Sequence, residues 1–392
     1  MRIIGDTNIP FLSYRRIAIT LSILVIAAGL SYEFMGHGLN FGIDFVGGTQ
    51  VTVKFNEAPD LGELRSAISE LAVGSPLIQR FDEAEKHEVL VRVVNPEGEE
   101  GDFTRPILEL LHEKFNAGIG GRFDLNTRGS VELLELLVSA DPDGVGGDAE
   151  GRQAYYEPMV EAVLDYRKEQ GIFASVDDLR AVTALSDPAR SFLEENAAAG
   201  AFALLAAENV GPAVGKDLQR KAQLAIGFSI LGMLVYIWIR FQLPYGVGAV
   251  VAIFHDVIIT LTALAATQRE FNLPTVAALL TLVGYSVNDT VVVFDRVREN
   301  LKLNRGEDLE QLMNRSINQT LSRTFITSGT TLVVVLSLYI FGGDVINTFA
   351  FVLLVGIIVG TYSSIFIASP VALAMARFLA SRREKRRKAG KR

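Results

Sequence analysis

Two aspartates stand inside apolar runs long enough to cross a bilayer. One run, Leu273 to Phe294, contains Gly284-Tyr285-Ser286-Val287-Asn288-Asp289-Thr290. A carboxylate at that depth costs roughly 3 kcal/mol on insertion scales. A chain keeps such a group where it faces a partner, a cavity or a proton path. Asp256, with His255 beside it, lies near the middle of another run, and Thr260 follows one turn on. On a helix Asp289 shares a face with Tyr285 and Ser286 one turn back and with Arg296 two turns on. In a third run Thr320, Thr324, Thr327 and Thr331 form a polar stripe at alternating helical steps, and Arg323 continues it towards Thr327 and Thr330. Helices with polar faces turn those faces towards one another in lipid. A desolvated carboxylic acid that ionises only when water or a cation reaches it is the switch a proton relay needs. Asp289, Asp256 and Arg323 are therefore the candidate relay, with Tyr285, Ser286, Asn288 and Thr324 as supporting polar groups. Protons are the expected coupling ion, with no cofactor or metal. The competing reading for each aspartate is a static pairing, with His255 as the simple partner of Asp256.

The elements that must hold these residues are membrane helices. The chain has 392 residues, of which 21% are charged, and its mean hydropathy is +0.30. That balance fits a membrane protein carrying one large aqueous domain. Ile17 to Phe34 makes one span; Ala222 to Phe294 makes three, broken at Arg240–Pro244 and Gln268–Asn272. Phe325 to Met375, broken near Gly342-Gly343-Asp344, makes two more. At about 20 residues per crossing this gives six transmembrane helices. The last is long enough to tilt, or it ends at Pro370.

Charge is split unevenly between these parts. Gly36 to Lys221 holds 33 acidic and 17 basic residues, whereas the remainder carries a net charge of +8. Arg15, Arg16 and Arg240 fall on one side of a six-span layout. Arg296, Arg298, Lys302, Arg305, Arg315, Arg323, Arg377 and the tail Arg382–Lys388 fall on the same side. The positive-inside rule makes that side cytoplasmic, with both termini there and the acidic domain outside. A basic tail beside a span reads as a topology anchor on anionic lipid rather than a nucleic-acid site. No cysteine is present, which excludes disulfides and thiolate metal sites. Ile17 to Ser31 has the look of a signal-peptide core, but no small-x-small site follows, so it reads as an uncleaved anchor.

Within the aqueous part, Thr49–Asn56 alternates as a strand, and Asp60 caps a helix over Leu61 to Ala72. Ser75–Phe81 and His87–Val94 read as strands, Thr104 to Phe115 as a helix with Pro106 in its first turn, and Phe202–Ala206 as a last strand. The order β-α-β-β-α-β predicts a ferredoxin-like α+β domain. A helical, acidic insert interrupts it. The division is 1–35 (N-terminus and first span), 36–118 with 199–221 (α+β domain) and 119–198 (insert). Residues 222–376 form spans two to six, and 377–392 the basic tail. Within the insert, Asp124-Leu125-Asn126-Thr127, Val163–Arg167 and Phe173–Leu179 resemble helix-hairpin-helix modules. The phosphate-binding hairpin of those modules has no clear equivalent in Leu136–Asp148, and the acidic surroundings repel phosphate. A solvated structural or protein-contact insert is expected.

Leu39-Asn40-Phe41-Gly42-Ile43-Asp44-Phe45-Val46-Gly47-Gly48-Thr49-Gln50 follows the first span, its glycines permitting a tight turn. Glu208-Asn209-Val210-Gly211-Pro212-Ala213-Val214-Gly215-Lys216 precedes the second; it lacks the P-loop pattern, which excludes that mode of ATP binding. These two runs resemble the SecD/SecF family of bacterial protein-export membrane proteins, within the resistance-nodulation-division superfamily. So do Gly284–Asn300, His255-Asp256 and Asn318-Gln319-Thr320-Leu321-Ser322-Arg323-Thr324. The resemblance covers roughly residues 10–118 and 201–380.

The resemblance implies an inner-membrane subunit that forms half of a pseudo-symmetric twelve-helix unit. A SecD-like partner and the SecYEG translocon would complete it. Proton flow would then drive movement of the outside domain on a translocating polypeptide. The rivals are a proton-coupled small-molecule exporter of the same superfamily and a non-conducting scaffold. An exporter is expected to carry a second six-span half and larger paired loops. Relay and scaffold separate on whether Asp289 tolerates Asn. Enzyme chemistry is not expected: His37, His87 and His112 have no metal-ligand spacing, and no serine sits in a nucleophile elbow.

Overall fold

The computed structural model describes residues 7–36, 38–71, 76–81, 87–94, 101–304 and 306–389. Expectations for His37, Ala72, Ser75, Arg305 and the last three residues lie outside it. In chain order the elements begin α1 (Arg15–Phe34), β1 (Asn40–Phe41), α2 (Ile43–Val46), β2 (Gly48–Phe55), α3 (Leu61–Ser69), β3 (Leu77–Phe81), β4 (Glu88–Val93) and α4 (Thr104–Phe115). They continue β5 (Phe123–Asp124), α5 (Ser130–Ala140), α6 (Ala149–Gln170), α7 (Asp187–Asn196), β6 (Ala197–Ala198), β7 (Phe202–Val210) and α8 (Pro212–Arg240). The chain closes with α9 (Leu243–Thr267), β8 (Glu270–Phe271), α10 (Leu273–Leu303), α11 (Leu309–Phe341), α12 (Gly343–Ser363) and α13 (Ser369–Ala389). Two compact units result, Ile43–Asp217 and the remainder.

The membrane unit has six helices long and apolar enough to span, among the described residues. α9 and α10 are its interior: Ala249, Ala252, Ile253, Asp256 and Thr260 on one, and Leu279, Leu282, Val283, Ser286 and Val293 on the other, are all buried. This is the three-and-four spacing of a helix packed along one face. Small residues let α12 approach α10. A Cβ on Gly356 would lie 2.4 Å from Leu282 Cδ1, and one on Gly360 would lie 3.4 Å from Ser286 Cα, the small-residue packing that lipid-embedded helices favour. Pro370 does not end the last span. The helix runs through it, and a π turn, Ser364–Ala368, lies immediately before. Proline supplies no N–H and crowds the preceding turn, and a wider turn relieves both effects.

The aqueous unit carries the expected α+β domain. Its four-stranded sheet has the order β3-β4-β2-β7, antiparallel throughout, which is the ferredoxin-like arrangement. The Asp60 side chain accepts from Gly62 N at 2.7 Å and fixes the start of α3. Leu64 and Ile68 of α3, and Ile107 and Leu111 of α4, cover Val51, Val53, Val89, Val91 and Phe202. Each such side chain contributes about 1.5–3 kcal/mol by leaving water. At the glycine pair opening β2, φ is +75° for Gly47 and +136° for Gly48. A Cβ on Gly48 would lie 2.3 Å from Val93 O, and one on Gly47 would lie 2.8 Å from Pro212 Cα.

The insert folds around its own core of Leu133, Leu137, Tyr156, Val160, Phe173 and Leu193. It begins and ends on the short parallel pair β5–β6. At its base Asp124 is saturated with donors: Asn126 N (2.9 Å), Gly200 N (3.1 Å), Asn116 Nδ2 (3.1 Å) and Thr127 Oγ1 (2.7 Å). Lys54 Nζ donates to Gln170 O at 2.8 Å and closes the C-terminus of α6. The α5–α6 hairpin contains Gly144, Gly146 and Gly147 at positive φ. Its amides at Val145 and Gly146 donate to Asp141. These bonds, that from Gly146 foremost, hold the Asp141 carboxyl below its ordinary value. Burial pushes the Tyr156 hydroxyl up to about 12.

Candidate proton site

Asp256 stands on α9 with 0% exposure and joins three helices. Its Oδ2 accepts from Ser286 Oγ on α10 at 2.5 Å and from Ser363 Oγ at the end of α12 at 2.8 Å. Its Oδ1 is 2.8 Å from His255 Nδ1. Both carboxyl oxygens thereby meet polar neighbours inside the bundle, as a buried carboxyl group requires.

Asp289 on α10 is also buried, at 3% exposure. Its Oδ2 accepts from Ser328 Oγ on α11 at 2.9 Å, and Asn288 Nδ2 reaches Oδ1 only at 3.5 Å. Ser328 in turn accepts from Thr361 Oγ1 on α12 at 3.0 Å. Arg323 is exposed on α11, five residues before Ser328. Asp289 thus has one good donor, a sparser environment than that of Asp256.

Several predicted pairings are redrawn. Ser286 serves Asp256 rather than Asp289, because three positions along a helix rotate a side chain by about 60° from overlap. Tyr285 keeps a buried hydroxyl with no partner among the described residues. Arg296 engages Gln319 and Glu299 and does not reach Asp289. Thr324 is buried on α11 one turn before Ser328. Ser328, Thr361 and Ser363 were not among the predicted residues. Their only trace in sequence is a hydroxyl inside an apolar span, a signal shared with serines and threonines that merely bond their own helix, as Thr281 does.

Among the described residues no cluster of three or more His, Asp or Glu side chains could hold a metal. The basic ends of the spans are tied together: Glu310 at the start of α11 accepts from both Arg15 and Arg377, and Arg240 pairs with Asp295 at 3.1 Å.

A six-helix membrane unit with one ferredoxin-like aqueous domain and buried aspartates on its inner helices defines a class of export membrane protein. The family model described as "Protein export membrane protein SecD/SecF, C-terminal" matches residues 192–378, and the "SecD/SecF GG Motif" matches residues 34–59. The chain is 41% identical over 381 residues to "Protein translocase subunit SecF" of Koribacter versatilis, covering 95% of this chain and 93% of that one. It is 39% identical to the protein so named in Calditerrivibrio nitroreducens, covering 93% of each. A crystal structure of "SecDF, a translocon-associated membrane protein" from Thermus thermophilus aligns with a TM-score of 0.65 at 30% identity, over 95% of this chain. This chain spans 39% of that longer one. The protein is a multi-pass membrane protein and belongs to the family of protein translocase SecF subunits.

Proposed function

We propose that this chain is the smaller half of a proton-driven export machine, working with a SecD-like subunit beside the SecYEG translocon. It lies in the bacterial inner membrane with residues 36–221 in the periplasm and both termini cytoplasmic. Protons moving past Asp289 drive a cycle of the aqueous domain, which pulls or holds a translocating polypeptide. The chain makes no covalent chemistry of its own and acts as a transport subunit, with membrane lipid around it and no nucleic-acid partner. Asp141, which occupies the hairpin amides of the insert, supports that last point.

The observation that carries this reading is Asp289: a buried carboxylate in the middle of a membrane helix, held by one hydroxyl on a neighbouring helix that also carries Arg323. Asp289 is the exchanging acid, Arg323 the basic member of the relay, and Asp256 with Ser286 a second acidic station. Tyr285, Asn288 and Thr324 supply the polar lining. Arg323 is exposed on the single chain. A cation inside a span needs cover from protein or water, which supports a partner subunit against α11.

Gradient-dependent export in membrane vesicles tests the reading. Asp289→Asn keeps shape and hydrogen bonding but cannot ionise, so it should assemble normally and lose the gradient-dependent part of export. Asp289→Glu should retain a part. Full activity in an assembled Asp289→Asn protein would refute it.

A further inference from the structure

His255 presents a loose end that the proton-driven reading leaves unused. The side chain is 6% exposed, yet its Nε2 is buried without a hydrogen-bond partner, while Nδ1 is committed to Asp256 at 2.8 Å. Leaving a ring nitrogen unpaired in an apolar interior is costly, unless something comes to it. The ring is otherwise well fixed. It stacks on Tyr362 of α12 at 6.2 Å between centroids, and Tyr362 is pinned to α1 by donating to Ala18 O at 2.8 Å. The ring cannot turn away to satisfy Nε2 elsewhere without breaking both contacts.

The second observation is where this pair leads. Asp256 binds Ser363, and Asp289 reaches Thr361 through Ser328. The two carboxylates therefore end two residues apart on α12, at the mouth of the π turn Ser364–Ala368. Inserted turns of this kind mark functional positions in helices more often than chance. The groups facing the pair are Tyr362 from α12, Ser286 from α10 with Asp289 one turn on, and Ser22 from α1 by way of Tyr362. Across the π turn Ser369 Oγ donates back to Ser364 O. The charged Arg15, which opens α1, and Arg377 of α13 are both engaged by Glu310.

We propose that His255 carries the proton of the second station, with Asp256 as its acidic partner and the Thr361–Ser363 segment as its link to Asp289. This rests on the proton-driven reading above. In the neutral ring Nδ1–H donates to ionised Asp256, and the Nε2 lone pair is free. The lone pair takes one proton from water or hydronium entering the site; no other bond changes. The pair goes from a net charge of −1 to zero, and release returns the proton from Nε2 to water. Ser286 and Ser363 then donate to a carboxylate already neutralised by its neighbour. Their charge-assisted bonds weaken, and α12 is freed at the turn that both carboxylates share.

Two measurements on the complex of this chain with its SecD-like partner test the assignment. In proteoliposomes, His255→Asn keeps a donor towards Asp256 but has no titrating ring. Proton uptake should fall on the order of a hundredfold, and the remaining uptake should lose its dependence on pH between about 5 and 8. A purely structural His255 would leave that profile unchanged in an assembled variant, which would overturn the proposal. The second measurement needs no substitution at His255. The chain has only four histidines, so 15N-histidine NMR of the complex, assigned by replacing the other three, should show Nε2 of His255 gaining a proton as pH is lowered. A ring that stays neutral throughout would overturn the proposal even if His255→Asn fails to assemble. Unchanged uptake in Asp289→Asn would instead sink the proton-driven reading itself. Loss at Asp289 with a normal His255→Asn profile would sink only this inference.

Discussion

Asp124 at the base of the insert and Asp256 in the membrane are equally hidden, at 1% and 0% exposure, and they sit in opposite kinds of polar network. Around Asp124 both oxygens hold two donors each, and Asn116 and Asn126 carry the bonding on to Ala201, Phe173 and Gly200. Such a saturated network fixes one geometry and gives up energy if any member changes. Around Asp256 and Asp289 the bonding is sparser: His255 Nε2, on the ring that meets Asp256, has no partner among the described residues, and Asp289 holds one close donor. An incomplete network keeps groups available to exchange. The difference lies in how completely each buried acid is satisfied, which burial alone does not reveal.

The sharpest way to break this comparison is to remove each acid. Asp124→Ala leaves four donors without an acceptor and should cost about 3–5 kcal/mol. Hydrogen exchange over residues 116–127 and 197–201 of the full chain would detect it. Asp256→Asn should leave the helices assembled while reducing proton uptake. Equal unfolding in both variants would make the membrane network merely structural.

A smaller loss is expected at the glycine pair. Gly48→Ala adds a Cβ 2.3 Å from Val93 O at a φ of +136°. It should lower membrane accumulation through a cost of about 2 kcal/mol in backbone strain. Normal accumulation would relocate the importance of this pair from folding to function.

Tyr156→Phe should cost about 1 kcal/mol of insert stability through the hydroxyl bonds to Asp141 and Asp143. The hydroxyl titrates at about 12 when folded against an ordinary 10.0. The unfolded chain therefore loses this proton first, and the corresponding stability is present below about pH 10 and lost as pH rises towards 12. Tyrosinate absorbance against pH should lose one late-titrating group in the Phe variant. The smallest effect on partner association is expected from deleting residues 120–198, since the insert has its own core and both ends meet at β5–β6. The truncated chain should still co-purify with its SecD-like partner; loss of that association would make the insert a docking element.

Much of this architecture is legible in the sequence, for physical reasons that differ by region. The helix Thr104–Phe115 is found to its ends, because Pro106 marks the start and the apolar period runs unbroken to Phe115. Strand β7 runs four residues beyond its expected end at Ala206, since Glu208 and Asn209 pair on the ladder despite their polarity. α8 begins at Pro212, ten residues before the apolar run: backbone hydrogen bonding continues where lipid contact does not. In the candidate site the aspartates announce themselves by their cost in an apolar run. Their partners do not, because Ser328, Thr361 and Ser363 lie on other helices, and which hydroxyl meets which carboxylate depends on how the helices cross.

Direct measurement of proton uptake by proteoliposomes holding this chain with its SecD-like partner, reported by an entrapped pH dye under an imposed gradient, tests the central claim. Uptake should be present in the unaltered complex, retained in part by Asp289→Glu and absent in assembled Asp289→Asn. Undiminished uptake in Asp289→Asn would contradict the assignment of Asp289 as the exchanging group.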